Sequence, residues 1–147
     1  MKFRFIAVVA CAAFGSSACG SDDETSSGSI AITLKEDTIS ASPATASAGA
    51  VDFMVSNTGR EMHEFVVIKT DLPEDQLPMV DGAVDEEAAG LQVMGEIEDI
   101  PAGGSGHVTL QLSPGKYVLI CNIVEQVTGM PSHNHYDEGM HKAFVVN

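Results

Sequence analysis

An all-β sandwich is the fold this sequence predicts. Three observations point to it. Short runs rich in β-branched residues recur along the chain, several alternate apolar with polar side chains, and Gly, Pro, Asn or Asp stands between them. Helical periodicity is scarce, and no internal repeat appears. With 147 residues the chain has room for one ordinary domain.

The elements follow in order. Residues 30–34 (IAITL) alternate and open the domain. Residues 51–55 (VDFMV) alternate too, and Asn57-Thr58-Gly59 turns the chain after them. Residues 63–69 (HEFVVIK) form a longer β-prone run, ended by Asp71-Leu72-Pro73. Between Asp71 and Ile100 the pattern weakens. Pro73, Pro78, Gly82 and Asp85-Glu86-Glu87 predict a long acidic excursion with a short helix at residues 84–91, and a further strand beginning at Ile97. Residues 108–112 (VTLQL) alternate cleanly, and Ser113-Pro114-Gly115 turns into residues 117–121 (YVLIC). That last run is almost wholly apolar and therefore belongs in the middle of a sheet. Residues 143–146 (AFVV) close the chain. Six or seven such strands require two packed sheets.

The first residues are not part of this domain. Lys2 and Arg4 precede an apolar run of ten at residues 5–14, too short to span a bilayer but the right length for the core of a secretory signal. Gly15-Ser16-Ser17-Ala18-Cys19 follows, small residues leading into a cysteine, as at bacterial lipoprotein cleavage sites. The expected organisation is a signal peptide at 1–18, a lipidated Cys19 heading a flexible acidic tether at 19–29, and one domain at 30–147. The protein is then exported, periplasmic or at the cell surface, and held to the membrane by its lipid, since no second apolar run reaches spanning length.

Charge narrows the partners. The formal charge of −14 becomes −16 once Lys2 and Arg4 are removed against the same 21 acidic residues. Such a surface repels nucleic acid and anionic lipid, and it steers basic partners inward at low salt.

The cysteines narrow the chemistry. Cys11 leaves with the leader and Cys19 carries the lipid, so Cys121 is the one thiol of the domain and has no disulfide partner. In an oxidising compartment a lone cysteine calls for a reactive thiol, an intermolecular bridge, a metal ligand, or simple burial. Its company favours the metal. His63 opens one strand and Cys121 ends another. The loop after Cys121 holds His133, His135 and Met140 before the last strand. Strand ends and loops gather at one pole of a sandwich, so these positions can meet. Two imidazoles, a thiolate and a thioether are the donors of a trigonal copper site with a weak axial Met.

Three stretches carry a family resemblance: Asn57-Thr58-Gly59 with Met62-His63-Glu64-Phe65; residues 114–121 (PGKYVLIC); and residues 135–140 (HYDEGM) followed by Phe144-Val145-Val146. Over residues 30–147 the chain resembles the cupredoxins, the type 1 blue copper proteins. The resemblance implies a Greek-key β-sandwich binding one copper ion, with His63, Cys121 and His135 as equatorial ligands and Met140 as the axial one. It implies a monomeric carrier of single electrons between redox partner proteins, and not an enzyme. One departure stands out. Plastocyanin-like members read Cys-x2-His-x4-Met, whereas thirteen residues here separate Cys121 from His135, with the usual four before Met140. Residues 124–134 read as an insertion, expected to fold over the copper pole with Met130 or Val127 near the site. The insertion also offers His133 as a rival ligand, with six residues before Met140; His135 keeps the usual interval, so His133 is expected to stay unligated.

Other readings compete with this one. Alone, His63 would be structural and Met140 a core side chain. His141 is expected on the opposite face from Met140, in solvent, and His107, among glycines, at the surface. Met62, Met79, Met94 and Met130 are too scattered for a methionine-rich site. A dinuclear copper centre needs two neighbouring cysteines, a multicopper oxidase needs His-Cys-His, and structural zinc takes four strong donors. The same ligands would also serve a copper chaperone or buffer of the cell envelope, with the long loop opening for exchange, or a catalytic site with an open copper position.

Overall fold

The computed structural model describes residues 28–126, 128, 129 and 132–147. The leader at 1–18 and Cys19 lie outside these residues, as do Val127, Met130 and Pro131. The first strands are β1 (Ser29–Lys35), β2 (Thr38–Ser42), β3 (Thr45–Ala46), β4 (Gly49–Asn57) and β5 (His63–Lys69). The excursion supplies β6 (Met79–Val80) and β7 (Ala83–Val84), and β8 (Gln92–Ile100) and β9 (Ser105–Leu112) follow. The chain ends with β10 (Gly115–Ile120), β11 (Val124–Glu125), β12 (His133–Asn134) and β13 (His141–Val146).

Two sheets face each other, in the orders β2-β1-β4-β9 and β3-β13-β10-β5-β8. Pairing is antiparallel except for β1 with β4 and β3 with β13. Alternation decides what each strand buries. Ile30, Ile32, Leu34, Val51, Phe53 and Val55 point inward from the first sheet, and Phe65, Val67, Tyr117, Leu119, Phe144 and Val146 from the second. Each such side chain contributes about 1.5–3 kcal/mol relative to exposure. Phe53 lies at the centre, its ring 5.4 Å from Phe65 and 5.6 Å from Phe144.

The second sheet is covered on its outer face as well. Val66, Ile68, Val118 and Ile120 pack there against Leu77, Val84 and Tyr136, so the 71–91 excursion forms a third layer. This is why β5 and β10 read as unbroken apolar runs. The helix expected at 84–91 does not form. The Val84 amide donates to the Asn122 side chain at 2.7 Å, which keeps the chain extended there. Asp85 then accepts from Ala88, a single turn, and Gly90 leaves it in the left-handed region at φ 92°. The strand expected from Ile97 begins at Gln92 instead. It is an edge strand, and the exposed Glu96, Glu98 and Asp99 that hide its alternation suit an edge.

Register brings three strand ends to one pole. Ile120 pairs with Val66 on one side and with His141 on the other. The start of β5, the end of β10 and the start of β13 therefore converge.

Candidate metal centre

His63, Cys121 and His135 meet at this pole. His63 Nδ1 lies 3.2 Å from His135 Nδ1, Cys121 Sγ lies 3.4 Å from His135 Nδ1 and 3.9 Å from His63 Nδ1. Trigonal donors about 2.0–2.3 Å from a shared centre stand roughly 3.5–3.7 Å apart, so the triangle fits one ion. The chemistry of the donors fits as well. Two imidazole lone pairs cannot face each other at this distance without a proton or a cation between them. Among the described residues, His63 Nε2 and His135 Nε2 are buried without a hydrogen-bond partner. Met140 is fully buried beside them, its carbonyl accepting from the Cys121 amide at 3.1 Å and its amide donating to His135 O at 2.9 Å.

Backbone contacts hold each donor. The Glu64 amide donates to Cys121 Sγ at 3.3 Å, and Glu64 Oε1 accepts from the Asn122 amide at 2.7 Å. Asn122 also donates through Nδ2 to Val84 O and Glu86 Oε1, fastening the excursion to the site. Asn134 Oδ1 accepts from the Tyr136 and Asp137 amides, and the His135 amide donates to Ile123 O, so His135 rides on a closed turn. Gly139 completes that turn at φ 117°, where an added Cβ would stand 2.9 Å from Asp37 O. The approach to His63 is fixed similarly. Asn57 donates to Ile100 O and Glu61 O, and the Glu36 carboxylate accepts from the amides of Arg60 and Glu61.

Burial sets the protonation of these groups. It pushes the Cys121 thiol up to about 11, only partly opposed by the amides of Glu64 and Ile123. Burial, then the neighbouring His135, lowers His63 below the usual imidazole range. Desolvation also raises Glu64. All three effects favour neutral side chains.

The insertion forms the small β11–β12 hairpin, which pairs Glu125 with His133. His133 stands outside the triangle. Its Nδ1 lies 2.9 Å from Glu138 and its Nε2 3.4 Å from Glu125, and the bond to Glu138 raises its pKa. Val127 and Met130, expected near the site, fall outside the described residues. His107 is exposed, as expected. His141, expected in solvent, is half-buried instead. Tyr136, its ring 5.2 Å away, and Glu74, 3.9 Å from its Nδ1, cover it from the added outer layer. Glu36, Glu64, Asn122 and Asn134 carry the support and were not singled out by the sequence. The only signals were their positions, next to a donor or in a turn.

No protein-family model matches the chain, and no curated protein does. Solved structures do. The fold is similar to reduced auracyanin from the photosynthetic bacterium Roseiflexus castenholzii, with TM-score 0.56 and 20% identity over 83% of this chain and 98% of that one. It is similar to rusticyanin from Thiobacillus ferrooxidans, with TM-score 0.52 and 16% identity over 81% and 77%. Auracyanin B gives TM-score 0.52 and 17% identity over 81% and 88%. Rusticyanin is described as a copper protein. At these identities the likeness is one of fold, and the fold is the cupredoxin-like sandwich the sequence predicts.

Proposed function

We propose that this chain binds one type 1 copper ion and passes single electrons between redox proteins outside a cell membrane. One observation carries the reading: two imidazole nitrogens and one thiol sulfur converge at 3.2–3.9 Å in a buried pocket, beside a buried methionine. His63 Nδ1, His135 Nδ1 and the Cys121 thiolate would hold the ion, with Met140 as a weak axial donor. The copper supplies a one-electron couple. The protein supplies rigidity. Backbone bonds to Cys121, His135 and Met140 keep the donors in place through both oxidation states, which lowers the cost of reorganisation. Cys121 gives up its thiol proton on binding, since a coordinating thiol is deprotonated.

The His135 ring lies between the pocket and the acidic rim at Glu61 and Glu125, which suits basic partners. The leader at 1–18, Cys19 and the acidic tether support export and a lipid anchor, and a monomer that exchanges electrons within tether reach. The test is the visible and EPR spectrum after adding Cu(II). An intense thiolate-to-copper band is expected. Its absence, or its survival in Cys121→Ser protein, would sink the assignment.

The acidic, part-exposed rim also favours a second reading, a protein that delivers or buffers copper. A carrier keeps its ion through redox cycles, whereas a delivery protein yields Cu(I) to a modest chelator.

A further inference from the structure

Among the described residues, the buried donors have no opening of their own to solvent. Among the described residues His63, Cys121 and Met140 are 0% exposed and His135 is 2% exposed. A hydrated ion that reached them would have to shed its water on the way, and it would need replacement ligands while doing so.

Such ligands stand directly outside. His135 turns Nδ1 inward, but its Nε2 points the other way, buried and without a hydrogen-bond partner among the described residues. Its nearest charged neighbours are Glu61 Oε2 and Glu125 Oε1, each 3.8 Å away. Glu61, Glu125 and His135 form a second cluster, which shares the His135 ring with the triangle. Glu125 Oε2 lies 3.4 Å from His133 Nε2. His133 Nδ1 is engaged by Glu138 at 2.9 Å, and its Nε2 faces Glu125. That carboxylate–histidine arrangement is the one that orients metal-binding imidazoles. Unlike the inner donors, Glu61, Glu125 and His133 reach solvent, with side chains 44%, 35% and 34% exposed.

We infer that Glu61, Glu125 and the outer edge of His135, with His133 set against Glu125, form a second cation site through which divalent copper is loaded into the buried pocket. The inference rests on the copper reading above and adds its route of entry. Carboxylates beside an imidazole suit a borderline divalent ion, Cu(II) or Zn(II), better than a hard one. The sites share one ring, so they fill in succession. While Nε2 serves the outer site, Nδ1 carries the ring proton. When Nδ1 takes over inside, Nε2 carries a proton instead and the outer site loses a donor. The ring is unchanged in charge, the Cys121 thiol releases one proton to solvent, and no electron moves. The insertion thereby gains a function, because β11 and β12 place Glu125 and His133 side by side next to His135.

Stopped-flow mixing of the full-chain apoprotein with Cu(II) tests this. An early species with nitrogen and oxygen ligation and no thiolate band is expected, followed by growth of the band. E61Q/E125Q double-variant protein and His133→Ala protein should lose the early species and load about tenfold more slowly or worse, with the final band unmoved. Loading at the parent rate overturns the outer site. If no band forms even in the parent, the copper reading itself fails. An equilibrium arm needs no inner site: Cys121→Ser protein should take up Cu(II) with the EPR signal of the early species, and adding E61Q/E125Q should remove it. Retention of that signal in the triple variant overturns the proposal as well.

Discussion

At the scale of single residues, the site is a matter of what burial does to a thiol. At a pKa of about 11 rather than 9.0, the Cys121 thiolate fraction near neutral pH falls about a hundredfold. With no solvent contact added to that, alkylation of Cys121 in the folded apoprotein should be at least about a hundredfold slower than in denatured protein. Mass spectrometry after timed alkylation measures this, and native modification at the denatured rate would place the thiol elsewhere. Met140 allows a second measurement. Met140→Leu should keep copper and colour while raising the reduction potential in voltammetry, because axial donation to Cu(II) is lost. An unmoved potential would remove Met140 from the ligand set. These donors were legible because Cys, His and Met are uncommon and their order along the chain is informative. Their supports were not. Asn122, Asn134 and Glu64 act through backbone amides that only the folded chain brings near, and nothing in the residue types Asn and Glu announces that.

At the scale of elements, two connections deliver the ligands, and each can be perturbed. Glu36 holds the turn before His63. The Arg60 amide first, then its own amide, hold its carboxyl down to about 2 from an ordinary 4.5; burial opposes them, and the Glu61 amide adds a lesser pull. A folded pKa below the unfolded one contributes stability above pH 4.5 and loses it as pH falls towards 2. Glu36→Gln should therefore be less stable than the parent at neutral pH, and the difference should vanish by about pH 2. Denaturant titrations at several pH values read this directly, and a gap that stays constant with pH would exclude the carboxylate as its origin. The second connection is the β11–β12 hairpin. Removing residues 124–133 uncovers the His135 edge while keeping Ile123 and Asn134, which hold that turn. Copper should still bind, with affinity lowered about 10- to 100-fold and a shifted potential. Unchanged affinity and potential would mean that the hairpin does not tune the loaded site. The sequence showed this insertion by its length alone. Its two-residue strands are too short for alternation to register, as are those of β6 and β7.

At the scale of the whole molecule, the site is a product of two sheets held at a fixed separation. The sequence made the inner faces plain, because β1, β4 and β9 alternate and expose their polar sides. It hid the third layer. Leu77, Val84 and Tyr136, which cover the outer face of β5 and β10, are isolated apolar residues in an acidic stretch, without any period to reveal them. The inner layer is where a perturbation should separate folding from metal chemistry. Phe53 is fully buried between Phe65 and Phe144, on the sheet that contributes no donor to the triangle. Phe53→Ala removes its ring without touching a ligand or a supporting hydrogen bond, and should cost about 3–5 kcal/mol of stability. Copper held only by the folded state adds RT ln(1 + [L]/Kd) to stability, so the loaded variant should recover part of that loss as free copper rises. Its band position should match the parent, because the donors sit on the other sheet and in the loops. Calorimetry with and without copper, beside the visible spectrum, distinguishes the two contributions. A displaced band in the variant would mean that the first sheet shapes the copper site directly; a parent-like melting temperature would mean that the inner layer does not set the stability of the fold.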